Sequence, residues 1–396
     1  MVQIYIIIWE SEGFSSFFNK KISKILGFFG KGSYLCSMKR TLLFFIIPIT
    51  IGISPLSAQE SGKEVDVQAL YQQIDEAIEH SSEYVAKREI QIANVRKMLL
   101  SESSLEKRFA HAEQLFALYK PYKNDSALHF ADLCILLADS LNRKDKVGLY
   151  LSLKAHQCST AGLYVESLNL LKQVDKKALG PEELAQYYAA WMHVCGELGY
   201  YSQQLEKRNS YYNLQDNYRD SVLAVAETGS EASLHLSMDV LSARKQYQDA
   251  LDVSDKWLRM VTDGTHESAY AAFYRSMVYD KLSNGPKVRY WLGKSALDDI
   301  KCAVFDQASL FMLADRLCKD GDYDRAYRYL HFCEDCNRVF SPQLRNYQVR
   351  YVADITDTLY QQSKARYSRL LIGACVGAFL LLVLVVWLFF TRRRAR

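Results

Sequence analysis

Cys333 and Cys336 form a Cys-x-x-Cys, the only cysteine pair in the 396 residues at that spacing. Two thiols so placed can form a local disulfide, exchange with other thiols, or supply half of a zinc site. Glu334-Asp335 separates them, the run reads as helix interior, and His331 is the one histidine nearby. No second pair follows, so a structural zinc site lacks its other ligands. Packing is the expected role, with a local disulfide and a metal site as lesser alternatives. Outside the leader and the membrane stand Cys134, Cys158, Cys195, Cys302, Cys318, Cys333 and Cys336, an odd number that argues against a full disulfide framework. Cys158 and Cys318 take inner helix positions, where cysteine acts as small apolar filler. The histidines (His80, His111, His129, His156, His193, His235, His266 and His331) are scattered. No His-Glu-x-x-His, Gly-x-Ser-x-Gly or Gly-x-x-x-x-Gly-Lys-Ser/Thr occurs. The expectation is a chain that is not an enzyme and carries no catalytic residue, cofactor or metal.

Aromatic residues are the other candidates for chemistry, with 27 Tyr, 18 Phe and 5 Trp. Tyr187-Tyr188, Trp191, Tyr200-Tyr201, Tyr211-Tyr212, Trp257, Tyr270, Tyr274 and Trp291 concentrate in the middle of the chain. Such rings can stack a sugar or grip a peptide. Helix–helix packing uses the same residues and is expected of most of them, so no single ligand residue is named.

The elements that must position these side chains are helices. Only 6 Pro and 18 Gly punctuate the chain, too few for a β-rich fold of this length. No run of alternating Val, Ile or Thr marks a strand. Three stretches share one spacing. In the clearest, Leu310, Ala314, Leu317, Gly321, Tyr323 and Ala326 follow one another. Leu151, Ala155, Cys158, Tyr164 and Ser167 repeat it, as do Leu234, Met238, Leu241, Tyr247 and Ala250. Small residues let paired helices approach closely, leucines line the inner faces, and the tyrosine after the turn fills the gap. Gly321-Asp322 and Ala161-Gly162 supply turns. Weaker units read over 182–218, with a turn at Gly199-Tyr200-Tyr201, and over 268–298, with a turn at Asn284-Gly285-Pro286. A further second helix reads over 126–141.

Two apolar segments frame the helices. Lys39-Arg40 precedes the apolar run 41–53, and Ser57-Ala58 ends it, the pattern of a secretory signal peptide cleaved before Gln59. Residues 1–37 then read as upstream codons ahead of a true start at Met38. Residues 370–390 carry no charge and as a helix span about 30 Å, enough to cross a bilayer. Arg392-Arg393-Arg394 follow at once, as a cytoplasmic flank requires. The net charge of +4 sits at the ends: residues 391–396 hold four Arg and no acid, and residues 1–58 carry an excess of Lys and Arg. Residues 59–390 are therefore mildly acidic, with no basic face to suggest nucleic acid as a partner. Gly373 and Gly377 form a Gly-x-x-x-Gly in the span, a strip through which two membrane helices can associate as a homodimer.

The small-residue pairs and the Gly-x-Tyr-x-x-Ala turn resemble the tetratricopeptide repeat. The expected fold is an all-α, tetratricopeptide-like α-solenoid of about six hairpins followed by one transmembrane helix. Repeat packing is assigned to Ala155, Tyr164, Ser167, Tyr247, Ala250, Ala314, Leu317, Gly321, Tyr323 and Ala326. The order of segments resembles the membrane-spanning regulators of Bacteroidetes with periplasmic tetratricopeptide-like repeats: a leader, then Tyr84-Val85-Ala86-Lys87-Arg88-Glu89-Ile90, Val95-Arg96, Tyr119-Lys120-Pro121-Tyr122 and Asp125-Ser126-Ala127-Leu128, then degenerate repeats and one span. That resemblance implies a signal peptide (38–58), a periplasmic repeat domain (59–342), a juxtamembrane helix (343–369), the span (370–390) and a basic cytoplasmic tail (391–396). It implies a sensor or interaction module in the inner membrane. Its partner would be a protein or peptide, with an oligosaccharide as the other ligand class. The signal would pass to an output domain that such regulators carry beyond the span and that is not in this sequence. A structural adaptor that docks another envelope protein is the alternative.

Overall fold

The computed structural model describes residues 67–340 and 343–394, which form fifteen α-helices and one short 3-10 turn, with no strand among the described residues. The expected leader and the mature start at Gln59 lie outside the described residues. The first helices are α1 (Val67–Glu79), α2 (Ser81–Ser101), α3 (Leu105–Tyr119) and α4 (Asn124–Ser140). Then come α5 (Lys144–Thr160), α6 (Tyr164–Lys172), α7 (Pro181–Tyr201) and α8 (Leu205–Val225). The rest are α9 (Glu231–Ala243), α10 (Tyr247–Met260), α11 (His266–Lys281), α12 (Gly285–Lys301), α13 (Ala308–Asp320), α14 (Tyr323–Phe340) and α15 (Gln343–Arg394). From α3 to α14 they pair as six hairpins in a tetratricopeptide-like solenoid.

Local chemistry sets the helix ends. Ser230 and Thr265 cap α9 and α11 by accepting from the N–H of Ser233 and Ser268. Pro181 opens α7, where its missing N–H costs nothing. Four hairpins share one corner, and the joins α4–α5 and α12–α13 repeat it. A residue with positive φ ends the first helix, and the next N–H bonds back to the last turn, satisfying a carbonyl that would otherwise be orphaned. Gly321 (φ 91) does this with Asp322 N–H to Leu317 O at 2.9 Å, and Gly162 (φ 85) with Leu163 N–H to Cys158 O at 2.9 Å. Lys245 and Ser283 take the same conformation without glycine, at φ 62 and 55, as do Asn142 and Ala303 in the two joins, at φ 57 and 50. The turn expected around Asn284-Gly285-Pro286 therefore pivots on Ser283. Asn284 caps α12 through Lys287 N–H, and Pro286 lies in the first turn. Gly199 is not at a turn. It lies inside α7, where the Tyr212 ring would stand 2.6 Å from an added Cβ.

The small residues sit where helices cross. Ala155, Ser167, Ala250, Ala314 and Ala326 have no accessible surface, and Leu317 is buried. Tyr164, Tyr247 and Tyr323 are half-buried and each is the first residue of a second helix, α6, α10 and α14.

The array also closes on itself. Helix α1 packs on α12, and α2 touches α12 as well. Arg88 of α2 donates to the carbonyls of Leu118 and Cys302. Phe305, between α12 and α13, donates its N–H to Pro121 O at 2.8 Å, and its ring lies 4.7 Å from that of Tyr122. Phe305 thereby joins the apolar core of α2–α5.

Helix α15 runs unbroken for 52 residues, about 78 Å at about 1.5 Å per residue. The expected juxtamembrane helix and span are thus one element. Its first part packs on the last hairpin. Tyr360 stacks on Tyr327 at 4.4 Å, Asp357 meets His331 Nε2 at 3.2 Å, and Thr356 has no accessible surface. Beyond it, Leu370–Phe390 project without cover, in a helix long and apolar enough to cross a membrane. An added Cβ on Gly373 or Gly377 would meet nothing within 4 Å.

Candidate binding face

Successive first helices pack on one another, α5 on α7 and α9 on α11, the stacking that gives a helical-repeat array its inner side. Two polar clusters lie on these helices. In the first, the rings of His156 (α5) and His193 (α7) stand 4.1 Å apart. His193 Nδ1 is 2.9 Å from Ser159 Oγ, and its Nε2 is 3.9 Å from Glu197 Oε1. Tyr164 donates its hydroxyl to Glu197 Oε2 at 3.0 Å. Burial pushes the Tyr164 phenol well up, and the Glu197 charge adds to this, so the hydroxyl keeps its proton and stays a donor. The order Ser159–His193–Glu197 has the residue types of a nucleophilic triad, but Ser159 has no accessible surface and the His–Glu gap exceeds hydrogen-bond length. No substrate atom can reach Oγ in this arrangement.

The second cluster joins α9, α10 and α11. The His235 ring is 3.8 Å from that of Tyr274, and its Nε2 is 3.4 Å from Asp239 Oδ2. Trp257 stacks on Tyr274 at 5.9 Å and meets Tyr270 edge-on at 5.8 Å. The Tyr270 and Tyr274 hydroxyls are 3.2 Å apart. Trp257 is 1% exposed, so these rings fill each other's space and serve mainly as packing. Tyr270, half-buried, presents an accessible edge. Around it gather charges from other hairpins. Lys120, just after α3, is exposed, and its charge interacts with Glu231 and His266. His266 Nδ1 lies 2.7 Å from Asp299. These helices thus carry cationic, anionic and phenolic hydrogen-bonding groups beside aromatic rings.

Among the described residues no group of three His, Cys, Asp or Glu is arranged to hold a metal. Cys333 and Cys336 are free thiols, both buried on the core side of α14, and burial pushes both up in pKa. Of the residues assigned to repeat packing, Tyr164 joins the first cluster, while Ala155, Ser167, Ala250, Ala314 and Ala326 are fully buried; Gly373 and Gly377 lie far along α15.

The histidines are scattered along the sequence, yet His156 and His193 meet. Their separation of 37 residues was the available signal. Tyr150–Glu113, Lys146–Glu183 and Gln157–Lys120 are also 37 apart and in contact. One repeat onward, the same helix face recurs.

A family model described as the SusR N-terminal TPR domain matches residues 78–351. No curated protein matches the chain.

Proposed function

The chain belongs to the family of the SusR N-terminal TPR domain, and from that premise we propose that it is the sensor and interaction module of a single-pass membrane regulator. Residues 59–369 would face the periplasm after removal of the leader 38–58. They would bind a peptide, protein or oligosaccharide on the inner face and pass the event through residues 370–390 to the cytoplasmic side. One observation carries this reading: the helix that packs on the last hairpin through Tyr360 and Asp357 continues without a break into the apolar segment. A continuous helix transmits tilt, rotation or displacement, whereas a flexible linker absorbs them.

The test uses the full chain in lipid nanodiscs, with a panel of neutral oligosaccharides and a pool of short peptides as probes. A sensor should bind one probe class and slow hydrogen exchange both on α7–α11 and on residues 349–360. A stable complex with another envelope protein that leaves 349–360 unchanged would instead favour the adaptor.

A further inference from the structure

Helix α1 is held unlike its neighbours. It barely meets α2, the next helix in the chain, and rests instead on α12, with side-chain bonds to α14. Its joint with α2 is the single residue His80, at φ −95 and ψ 10. Its apolar side lies so close to α12 that a Cβ on Gly293 would stand 2.9 Å from Leu70 Cδ2 and 3.4 Å from Ile74 Cδ1. Its polar side meets α14. Asp75 pairs with Arg325 at 3.3 Å and Arg328 at 3.2 Å, the Arg325 guanidinium lies 5.2 Å over the Tyr71 ring, and Tyr329 donates to Tyr71 O at 3.3 Å.

The contact is imperfect. Tyr71 is 2% exposed, and its hydroxyl has no hydrogen-bond partner among the described residues. Opening of α1 would give this hydroxyl water in exchange for its burial. The Asp75 pairs are partly exposed, where ion pairs contribute little. Helix α2, by contrast, has its own anchor in Arg88.

We propose that α1 is a strap that opens as a unit about His80 and, while closed, holds α12 and α14 in one fixed relation. Because α1 bridges two successive hairpins, a change in the angle between them must slide or release it. Helix α14 is also the surface on which α15 packs, so the strap acts on the element that enters the membrane. What opening would be used for rests on the sensor reading. The opening itself stands on the contacts, and its test involves no ligand.

Hydrogen exchange with mass spectrometry on the full chain in nanodiscs decides it. In the unaltered protein, amides 70–79 should exchange at least about tenfold faster than amides 288–300, as a separately opening unit does. Asp75→Asn should speed the strap modestly and Asp75→Arg about tenfold more, with α3–α6 unchanged. Gly293→Val, which changes no charge, should also speed it and guards against a folding defect peculiar to residue 75. The proposal is overturned if α1 and α12 lose protection together at one rate, or if no variant changes exchange in α1.

Discussion

The Arg88 guanidinium donates twice to one acceptor, the carbonyl oxygen of Cys302, at 3.1 and 2.9 Å across 214 residues of sequence. The same group reaches Leu118 O, so one side chain satisfies carbonyls at the ends of two distant helices. Such corners are where helices leave orphan acceptors. Arg88→Met should lower the stability of the full chain by about 2–3 kcal/mol, the scale for charge-assisted bonds to buried acceptors. Arg88→Lys should recover little, because a single ammonium lacks the planar fork. Chemical denaturation in detergent micelles, followed by circular dichroism, measures both.

Ala326 has no accessible surface where α14 crosses α13, so Ala326→Leu should overpack the crossing and cost about 1–3 kcal/mol. Gly321→Ala, at φ 91, should cost about 1 kcal/mol by backbone strain alone. Neutral denaturation midpoints would show that these positions are not the packing points of the last repeat.

The His266–Asp299 pair implies a pH dependence. Burial opposes a charge on His266, but the Asp299 carboxylate outweighs it and holds the imidazole above its ordinary pKa. Glu267 adds to that pull, and Lys120 opposes it. A group with a raised folded pKa contributes stability below its unfolded value, and that contribution is lost as pH rises through the folded value. Stability should therefore fall from about pH 6.5 upward, and His266→Gln should flatten that decline. Denaturation midpoints from acid to mildly alkaline pH report it.

Thiol labelling should follow exposure. Cys302 and Cys318 are partly exposed, while Cys134, Cys158, Cys195, Cys333 and Cys336 are buried. Burial pushes Cys302 up to about 11, so its labelling should be slow at neutral pH and faster in mild alkali. Mass spectrometry after native alkylation should find the five buried thiols unmodified. Early labelling of Cys333 or Cys336 would mean that α14 opens.

Gly373→Ile with Gly377→Ile should leave the fold of one chain unchanged, since no atom lies within 4 Å of either added Cβ. If the strip mediates a homodimer, the pair should weaken association in a membrane two-hybrid assay. Unchanged association would leave α15 as an anchor only.

The local pattern is legible in the sequence itself. Leu310, Ala314, Leu317, Gly321 and Ala326 specify a hairpin because helix period, close approach and a left-handed corner are properties of neighbouring residues. The charge-free run 370–390 likewise reads as a span from length and polarity alone. Corners at Asn142, Lys245 and Ser283 were less legible, because nothing but the surrounding fold holds a residue with a Cβ at positive φ there. The meeting of His156 with His193 was half-hidden, since a repeat must be counted before its recurring face can be seen. The closure of the array was not legible at all. Leu70 against Gly293, Asp75 with Arg325 and Arg88 with Cys302 join residues more than 200 apart. Each hairpin adds a small rotation to the one before, and no single repeat encodes their sum. Only the folded chain brings the first described helix back against its last hairpins.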